Sequence, residues 1–376
     1  MSVSPPTFDL REQLQRHLGA TFLLDRELRG GGSARVYLAT EIALERRVVL
    51  KVLPPDVSRG VDAERFRREI LFVARLQHPH LVPLLNAGTV RLDNGGELRW
   101  FSMPFVEGRS VRDLLQREAL AMSDVLRLLR ELASALAYAH GRGIVHRDIK
   151  PENMLLSDGV SMIADFGVAK ALDNAAAIGP DGKRVTTTST VLGTPAYMAP
   201  EQIIAATVVD HRADLYAFGC VAYELFTGTP PLLRDSLRAT LAAQVSDTPT
   251  PILEKRPELA PSLAEVIMRC LEKDPNRRLA SASTIVKTLD ELTQTAHISG
   301  AFTAVRPAVG AATAAVAPSS TPGAATTPAA TPAGQAAPTP PDTPVHSTTR
   351  SGLTMLGLIV VAVATMAAVT WFLRHR

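Results

Sequence analysis

The apolar positions of this chain change period several times, and each change marks an element. Leu10, Leu14 and Leu18 recur every fourth residue, so Phe8 to Leu18 is expected to form a short amphipathic helix packed on the next domain. Phe22 to Leu38 reads as strand, Gly-rich turn, strand. Arg47 to Leu53 is the next strand, with Lys51 inside its apolar run. A buried unpaired ammonium is costly, so a partner is expected, and Glu69 in the helical stretch Ala63 to Leu76 supplies one. His78-Pro-His-Leu-Val82 is a turn, with both histidines read as packing residues. Leu84 to Arg91 and Leu98 to Met103 are strands joined by the hairpin turn Asp93 to Gly96. Val111 to Gln116 and Ser123 to His140 have helical spacing, with Ser123 as the expected N-cap. A stretch of mixed character, Ile144 to Leu156, precedes an apolar strand-like run that ends at Asp165-Phe166-Gly167. Helices from Ser236 to Leu292 follow.

Composition divides the 376 residues further. Residues 1 to about 295 mix apolar and charged side chains as a globular enzyme does. Residues 296–350 are dominated by Ala, Thr and Pro without apolar periodicity, so a disordered linker is expected. As a flexible coil it would span roughly 40 Å. Leu353 to Leu373 carries no charge. As a helix it would reach about 31 Å, enough for a bilayer core, with Trp371 at an interface. Arg350 on one side and Arg374 and Arg376 on the other leave the positive-inside count leaning the wrong way for a cytoplasmic catalytic part. The expected orientation nevertheless keeps residues 1–295 in the cytoplasm, with a three-residue tail outside.

The formal net charge of +3 gives no case for a nucleic-acid partner. Cys220 and Cys270 each sit in an apolar helical pattern and read as small buried hydrophobes. The first residues hold Asp9 and Glu12 and no apolar core of a signal peptide.

The chemistry concentrates in Ile144-Val-His-Arg-Asp-Ile-Lys-Pro-Glu-Asn-Met-Leu-Leu156 and in Asp165-Phe-Gly167. Two acidic groups, one Lys and one Asn are held on short turns between apolar strands. A carboxylate to orient a hydroxyl, groups to hold divalent metal and a Lys to neutralise charge suit phosphoryl transfer. Five residues separate Asp148 from Asn153, which puts both on one short loop.

These motifs, with Gly193-Thr-Pro-Ala-Tyr-Met-Ala-Pro-Glu201 downstream, resemble eukaryotic-like protein kinases, and the likeness covers about residues 20–293. Asp148-Ile-Lys-Pro-Glu-Asn153 with Gly193-Thr194 resembles the serine/threonine class, and the style of Met198 to Gln202 resembles bacterial Hanks-type members. The resemblance implies an α+β fold with a β-rich small lobe over residues 20–104 and a helical large lobe over 108–295. It implies that Asp148 accepts the proton of a substrate hydroxyl and that Lys150 sits beside the transferred phosphate. Asn153 and Asp165 would bind Mg²⁺, with Mn²⁺ as the alternative. Lys51 would hold the ATP phosphates and pair with Glu69. The nucleotide would also meet Leu28, Arg29, Gly30, Gly31, Gly32, Ser33, Ala34, Val36, Val49 and Leu155, with Met103 beside adenine and Pro104 to Val106 as the hinge.

The glycine pattern of the family fits with Val36 as its Val, which puts Arg29, Gly31 and Ala34 at the three glycine positions. Only the central glycine is kept, so a phosphate-covering loop with a bulkier first turn is expected. This departure motivates the alternative of a pseudokinase scaffold. The intact Lys51, Glu69, Asp148, Asn153 and Asp165 argue against it, and the Gly193 to Glu201 segment argues against a small-molecule kinase.

By the same resemblance Arg147 would pair with phosphate on the segment between Gly167 and Gly193, where autophosphorylation within Thr186 to Thr190 is expected, with Thr186 and Thr188 the first choices. Thr194 would contact Asp148 and Lys150. Glu201 would pair with Arg278, and Asp214 would anchor the catalytic loop. Expected partners are Ser/Thr-containing proteins, a second copy for trans-autophosphorylation, and the membrane.

Overall fold

The computed structural model describes residues 10–28, 34–53, 58, 63–93, 95–117, 120–166, 195–204, 206 and 209–299. The chain divides into two units, Met1–Ala312 and Thr313–Arg376, and every described residue belongs to the first. Among the sequence expectations, Arg29 to Ser33, Gly167, Thr186, Thr188, Thr194, most of the 296–350 linker and Leu353 to Leu373 lie outside the described residues. Among the described residues, no helix is long and apolar enough to cross a membrane.

Five antiparallel strands form the small lobe: β1 (Phe22–Leu28), β2 (Arg35–Glu41), β3 (Arg46–Val52), β4 (Asn86–Arg91) and β5 (Glu97–Pro104), in the order β1-β2-β3-β5-β4. Period-two alternation gives the sheet two apolar faces. Tyr37, Val48, Leu50, Val52, Leu98 and Trp100 make one face. The N-terminal helix α1 (Leu10–Leu18) covers it through Leu14, with Leu10 and Leu18 alongside, as the spacing predicts. The other face carries Val49, Phe101 and Met103 and joins the main core. Helix α2 (Ala63–Val73) packs into that core with Phe66, Ile70 and Val73. The hairpin between β4 and β5 turns at Gly95, whose φ of 80° suits glycine.

The large lobe holds a small sheet of β6 (Arg109–Ser110), β7 (Met154–Ser157) and β8 (Val160–Ile163). Around it lie α3 (Val111–Arg117), α4 (Met122–His140), α5 (Pro200–Ile203), α6 (Arg212–Thr227), α7 (Leu237–Ser246), α8 (Ile252–Lys255), α9 (Pro261–Cys270) and α10 (Ala282–Ser299). Helix α6 is buried along nearly its whole length. Gly219 permits this, because a Cβ there would lie 2.8 Å from the Cβ of Cys270. Both cysteines are buried in this packing.

Several boundaries shift by a few residues from the sequence reading, and two of the shifts have a visible cause. Helix α4 starts at Met122 with Ala121 as its N-cap instead of Ser123, because the Asp124 and Val125 N–H groups already bond to the Ala121 carbonyl. Helix α10 runs to Ser299, past the expected linker start at 296. Backbone hydrogen bonding propagates the last turn once the preceding turns have formed.

Candidate active site

The turn from His78 to Val82 pins β8 before the site begins. The Ile163 N–H donates to the His80 carbonyl (3.0 Å), and the Val82 N–H donates to the Ile163 carbonyl (2.9 Å). His80 Nδ1 meets the Ser161 carbonyl at 2.9 Å. These contacts give His80 the packing role read from the sequence, as the Tyr138 ring 5.0 Å from His78 does for that residue, and they fix the strand that ends two residues before Asp165.

Asp165 follows with a φ of 63°, and Arg147 in the facing loop has a φ of 69°. Non-glycine residues in this region cost of order 1–3 kcal/mol each and need surrounding structure to hold them. Asp214, fully buried near the start of α6, holds Arg147. Its Oδ1 accepts from the Arg147 N–H at 2.7 Å, and its Oδ2 accepts from the His146 N–H at 2.8 Å. His140 Nε2 donates to the same Oδ2 at 2.8 Å. Burial alone would raise the Asp214 carboxyl. The hydrogen bond from His140, with the electrostatic attraction of the neighbouring His140 and His146 imidazoles, outweighs burial and holds it below the ordinary range.

His146 itself is fully buried. Its Nδ1 accepts from the Asp148 N–H at 3.1 Å, so its Nε2 carries the proton and donates to the Ala164 carbonyl at 3.0 Å. Its ring packs edge-on against Phe166 at 4.8 Å. The imidazole therefore braces the catalytic loop against the Asp165 turn.

Three functional side chains meet on the loop that His146 and Asp214 hold. Lys150 Nζ donates to both Asp148 oxygens at 3.0 and 2.8 Å. Asn153 Nδ2 donates to the Asp148 carbonyl at 2.8 Å and to its Oδ2 at 3.1 Å. These bonds orient the Asn153 amide and leave its Oδ1 as the atom that can face a cation. Across from them, Lys51 Nζ donates to Asp165 Oδ2. Asp165 Oδ1 is buried and has no hydrogen-bond partner among the described residues. A buried carboxylate oxygen of this kind, with one amide oxygen, fits a hard divalent cation whose remaining ligands are phosphate and water oxygens.

The expected Lys51–Glu69 pair is not formed among the described residues. The Lys51 ammonium pairs with Asp165 instead. Glu69 sits half-buried on α2, beside a surface depression lined by Arg65, Arg68 and Phe72.

The inner face of the sheet forms a roof over this cluster. Leu28 pairs with Val36, Val36 with Lys51, and Lys51 with Phe101 across β1, β2, β3 and β5. Val49 pairs with Met103 in the same way. Ala34, Val49, Val106 and Leu155 are half-buried and pack on the same core as Met103, so both lobes contribute partly exposed apolar groups to it. The Phe105 N–H donates to the Arg47 carbonyl at 3.2 Å, and Pro104 has no N–H, so of these three residues only Val106 has an N–H not so engaged.

The segment Pro195 to Glu201 is held from several sides. Glu201 receives a buried bidentate bond from Arg278 at 2.6 and 2.7 Å, the pair expected from the sequence. Gln202 Nε2 donates to the Arg147 carbonyl at 2.9 Å while its Oε1 accepts from the Ala199 N–H at 3.0 Å. The fully buried Gln244 donates to the Ala196 carbonyl at 2.7 Å. Sequence reasoning assigned no role to Gln202, Gln244, Arg112 or Glu224. Gln202 lies in the Met198 to Gln202 stretch that carries the family resemblance; the other three carry no local signal.

Comparison with known proteins agrees with this geometry. The protein kinase domain profile matches residues 22–289. Over 271 residues the chain is 35% identical to the serine/threonine-protein kinase PknB of Mycolicibacterium smegmatis, covering 71% of this chain and 42% of that protein. Over 272 residues it is 36% identical to a probable serine/threonine-protein kinase PknB of Bifidobacterium longum, covering 70% and 38%. The chain thus spans less than half the length of these relatives. Among solved structures it is similar to the Mycobacterium tuberculosis PknI kinase domain, with 30% identity, a TM-score of 0.53 and coverage of 72% of this chain and 96% of that one. The bilobal fold, the loop around Asp148 and these matches together show that the chain belongs to the protein kinase domain family, with its likeness running to bacterial serine/threonine kinases.

Proposed function

We propose that this chain transfers the γ-phosphate of ATP to serine or threonine hydroxyls of proteins. The observation that carries the reading is the gathering of Lys150 and Asn153 on the Asp148 carboxylate, with the Lys51–Asp165 pair facing it. In this reading Asp148 orients the substrate hydroxyl and accepts its proton as the oxygen bonds to the γ-phosphorus. The bond from that phosphorus to the bridging oxygen breaks, and ADP leaves. Lys150 moves from Asp148 toward the transferring phosphoryl group and neutralises its charge. Lys51 holds the α- and β-phosphates. Asn153 and Asp165 would hold Mg²⁺, or Mn²⁺ in its place, which supplies charge neutralisation on the phosphates when bound. Val36, Val49, Met103 and Leu155 sandwich adenine, with the Val106 N–H reading its edge; Leu28 and Ala34 flank the nucleotide beside the Arg29 to Ser33 turn.

Regulation in this reading runs through Arg147, which pairs with phosphate placed on Thr186 or Thr188 by a second copy of the chain, while Thr194 contacts Asp148 and Lys150. The kinase domain spans 20–295, the segment after it is a linker, and residues 353–373 anchor the chain in a membrane with the kinase in the cytoplasm. Support for the anchor is the uncharged run from Leu353 to Leu373.

The test compares the full chain with its Asp148→Ala variant in transfer of labelled γ-phosphate to Ser/Thr peptides. Wild type labels the peptides and the variant does not. Equal labelling by both removes the enzymatic reading and favours a binding scaffold. Mass spectrometry of the incubated wild type finds phosphate on Thr186 or Thr188, and an active enzyme unmodified there refutes the proposed regulation.

A further inference from the structure

The polar side chains of helix α1 reach both edges of the small-lobe sheet, β1 and the hairpin beside β4. At the hairpin, Gln13 Oε1 accepts from the Asp93 N–H at 3.2 Å, and Arg16 Nη1 donates to Asp93 Oδ2 at 2.5 Å. At β1, Gln15 Oε1 accepts from the Leu24 N–H at 2.7 Å, and its Nε2 donates to the Phe22 carbonyl at 3.2 Å. Gln15 thus pairs with the outer edge of β1 as a neighbouring strand would. Arg11 Nη2 donates to the Leu24 carbonyl at 3.1 Å and to the Asp25 carbonyl at 2.6 Å.

Those two carbonyls sit at an irregularity in the strand. Leu24 pairs with Ala39 and Arg26 with Leu38, so Asp25 is one residue too many for β2 and bulges. The extra residue reverses the alternation of faces. Before it, Phe22 and Leu24 lie on the outer face with Tyr37 and Ala39. After it, Glu27 pairs with Tyr37 on that face, and Leu28 pairs with Val36 on the inner face that carries Lys51. Continued without the bulge, the register would set Glu27 opposite Val36 and Leu28 opposite Arg35. A carboxylate would then face the nucleotide, and an apolar contact would be lost. Leu28 also directly precedes the Arg29 to Ser33 stretch. Both registers satisfy the ladder, so local contacts decide between them, and charge-assisted bonds to the bulge carbonyls are large on that scale.

We propose that α1 builds part of the nucleotide site: Arg11, with Gln15, holds the Asp25 bulge and so turns Leu28, not Glu27, toward ATP. Arg11 is a positioning residue here, and ATP as the ligand rests on the protein-kinase reading above.

The test is binding of a fluorescent ATP analogue with Mg²⁺ to the full chain, readable without phosphate transfer. Arg11→Ala should weaken binding about fivefold, as the fraction of chains in the competent register falls. Gln15→Ala should weaken it in the same direction, and decides the matter if Arg11→Ala does not fold. Adding Glu27→Leu to Arg11→Ala should restore most of the loss, because either register then offers leucine to the nucleotide. A helix that served stability alone gives no such rescue. Arg16→Ala loosens α1 only at the exposed hairpin pair and should stay within about twofold of wild type. In peptide labelling, Arg11→Ala should raise the KM for ATP and leave kcat and the peptide KM within about twofold. Wild-type affinity in the folded β1-contact variants, no rescue by Glu27→Leu, or an equal loss in Arg16→Ala overturns the proposal and leaves the kinase reading standing. A wild type that binds no nucleotide refutes that reading and the proposal with it. The expected binding pattern in a chain that labels no peptide upholds the proposal and refutes the transfer step.

Discussion

Replacing Asp214 by Asn keeps the volume of the side chain and removes its charge. The three donors on Asp214 come from the Arg147 N–H, the His146 N–H and His140 Nε2. An asparagine has one acceptor oxygen. It loses least by setting that oxygen where Oδ2 lies, which keeps His146 and His140 and turns its NH₂ toward the Arg147 N–H. The orphaned buried N–H costs roughly 2 kcal/mol, and the two bonds that lose their charged acceptor cost about 1 kcal/mol more. A total of about 3 kcal/mol lowers the melting temperature by about 6–9 °C in a domain of this size. The orphaned donor belongs to Arg147, whose φ of 69° directly precedes Asp148. The catalytic carboxylate should therefore be misplaced, and kcat should fall roughly tenfold to a hundredfold.

The pH dependence gives a second readout of the same variant. The Asp214 carboxyl is held below its ordinary value of 3.8 in the folded chain. Its contribution is therefore complete above that value and lost as pH falls below it through the folded value. The stability gap between wild type and Asp214→Asn should be widest near neutrality and close in acid below 3.8. Thermal melts from neutral to acid pH, with peptide kinetics at neutral pH, measure both. A melting temperature within about 2 °C of wild type together with unchanged kcat would refute the account of Asp214 as the anchor of the loop.

The buried Arg278–Glu201 pair gives a stability prediction of another kind. Arg278→Leu leaves Glu201 without its bidentate partner and should cost about 3–5 kcal/mol in chemical denaturation, whereas the double variant with Glu201→Leu should recover part of the loss. Burial pushes the Cys270 thiol up to about 12 and Cys220 higher still. Both should resist a thiol reagent at pH 8 in the native chain and react fully in denaturant; rapid native labelling would contradict their burial.

Legibility from the sequence followed the range of the interactions. Asp148, Lys150 and Asn153 meet within one short loop, so their spacing displays their contact. The sheet was legible because β3 alternates Val48, Leu50 and Val52 on one face with Val49 and Lys51 on the other. The partner of Lys51 was not, because Glu69 and Asp165 are both plausible counter-ions by sequence and only the folded cleft decides between them. Asp214 and Arg278 lie 67 and 77 residues from the groups they hold, Arg147 and Glu201, and resemblance to a family found them where periodicity could not. Arg112 had no such help. On a helix surface it reads as a solvated charge, and its pairing emerges only when Glu152, Tyr197 and Glu224 converge on it. The Ser123 cap failed for a local reason, since the Ala121 carbonyl bonds the Asp124 and Val125 amides one turn earlier.

The measurement that bears most directly on the central claim is γ-phosphate transfer to matched Ser, Thr and Tyr peptides by wild type and by Asp165→Asn, with ADP release followed alongside. Asp165 carries a buried oxygen suited to a cation, so wild type should place label on Ser and Thr in step with ADP. The variant should lose roughly a hundredfold or more, with the fold intact. Equal transfer by the two proteins, or label confined to Tyr, would contradict that claim.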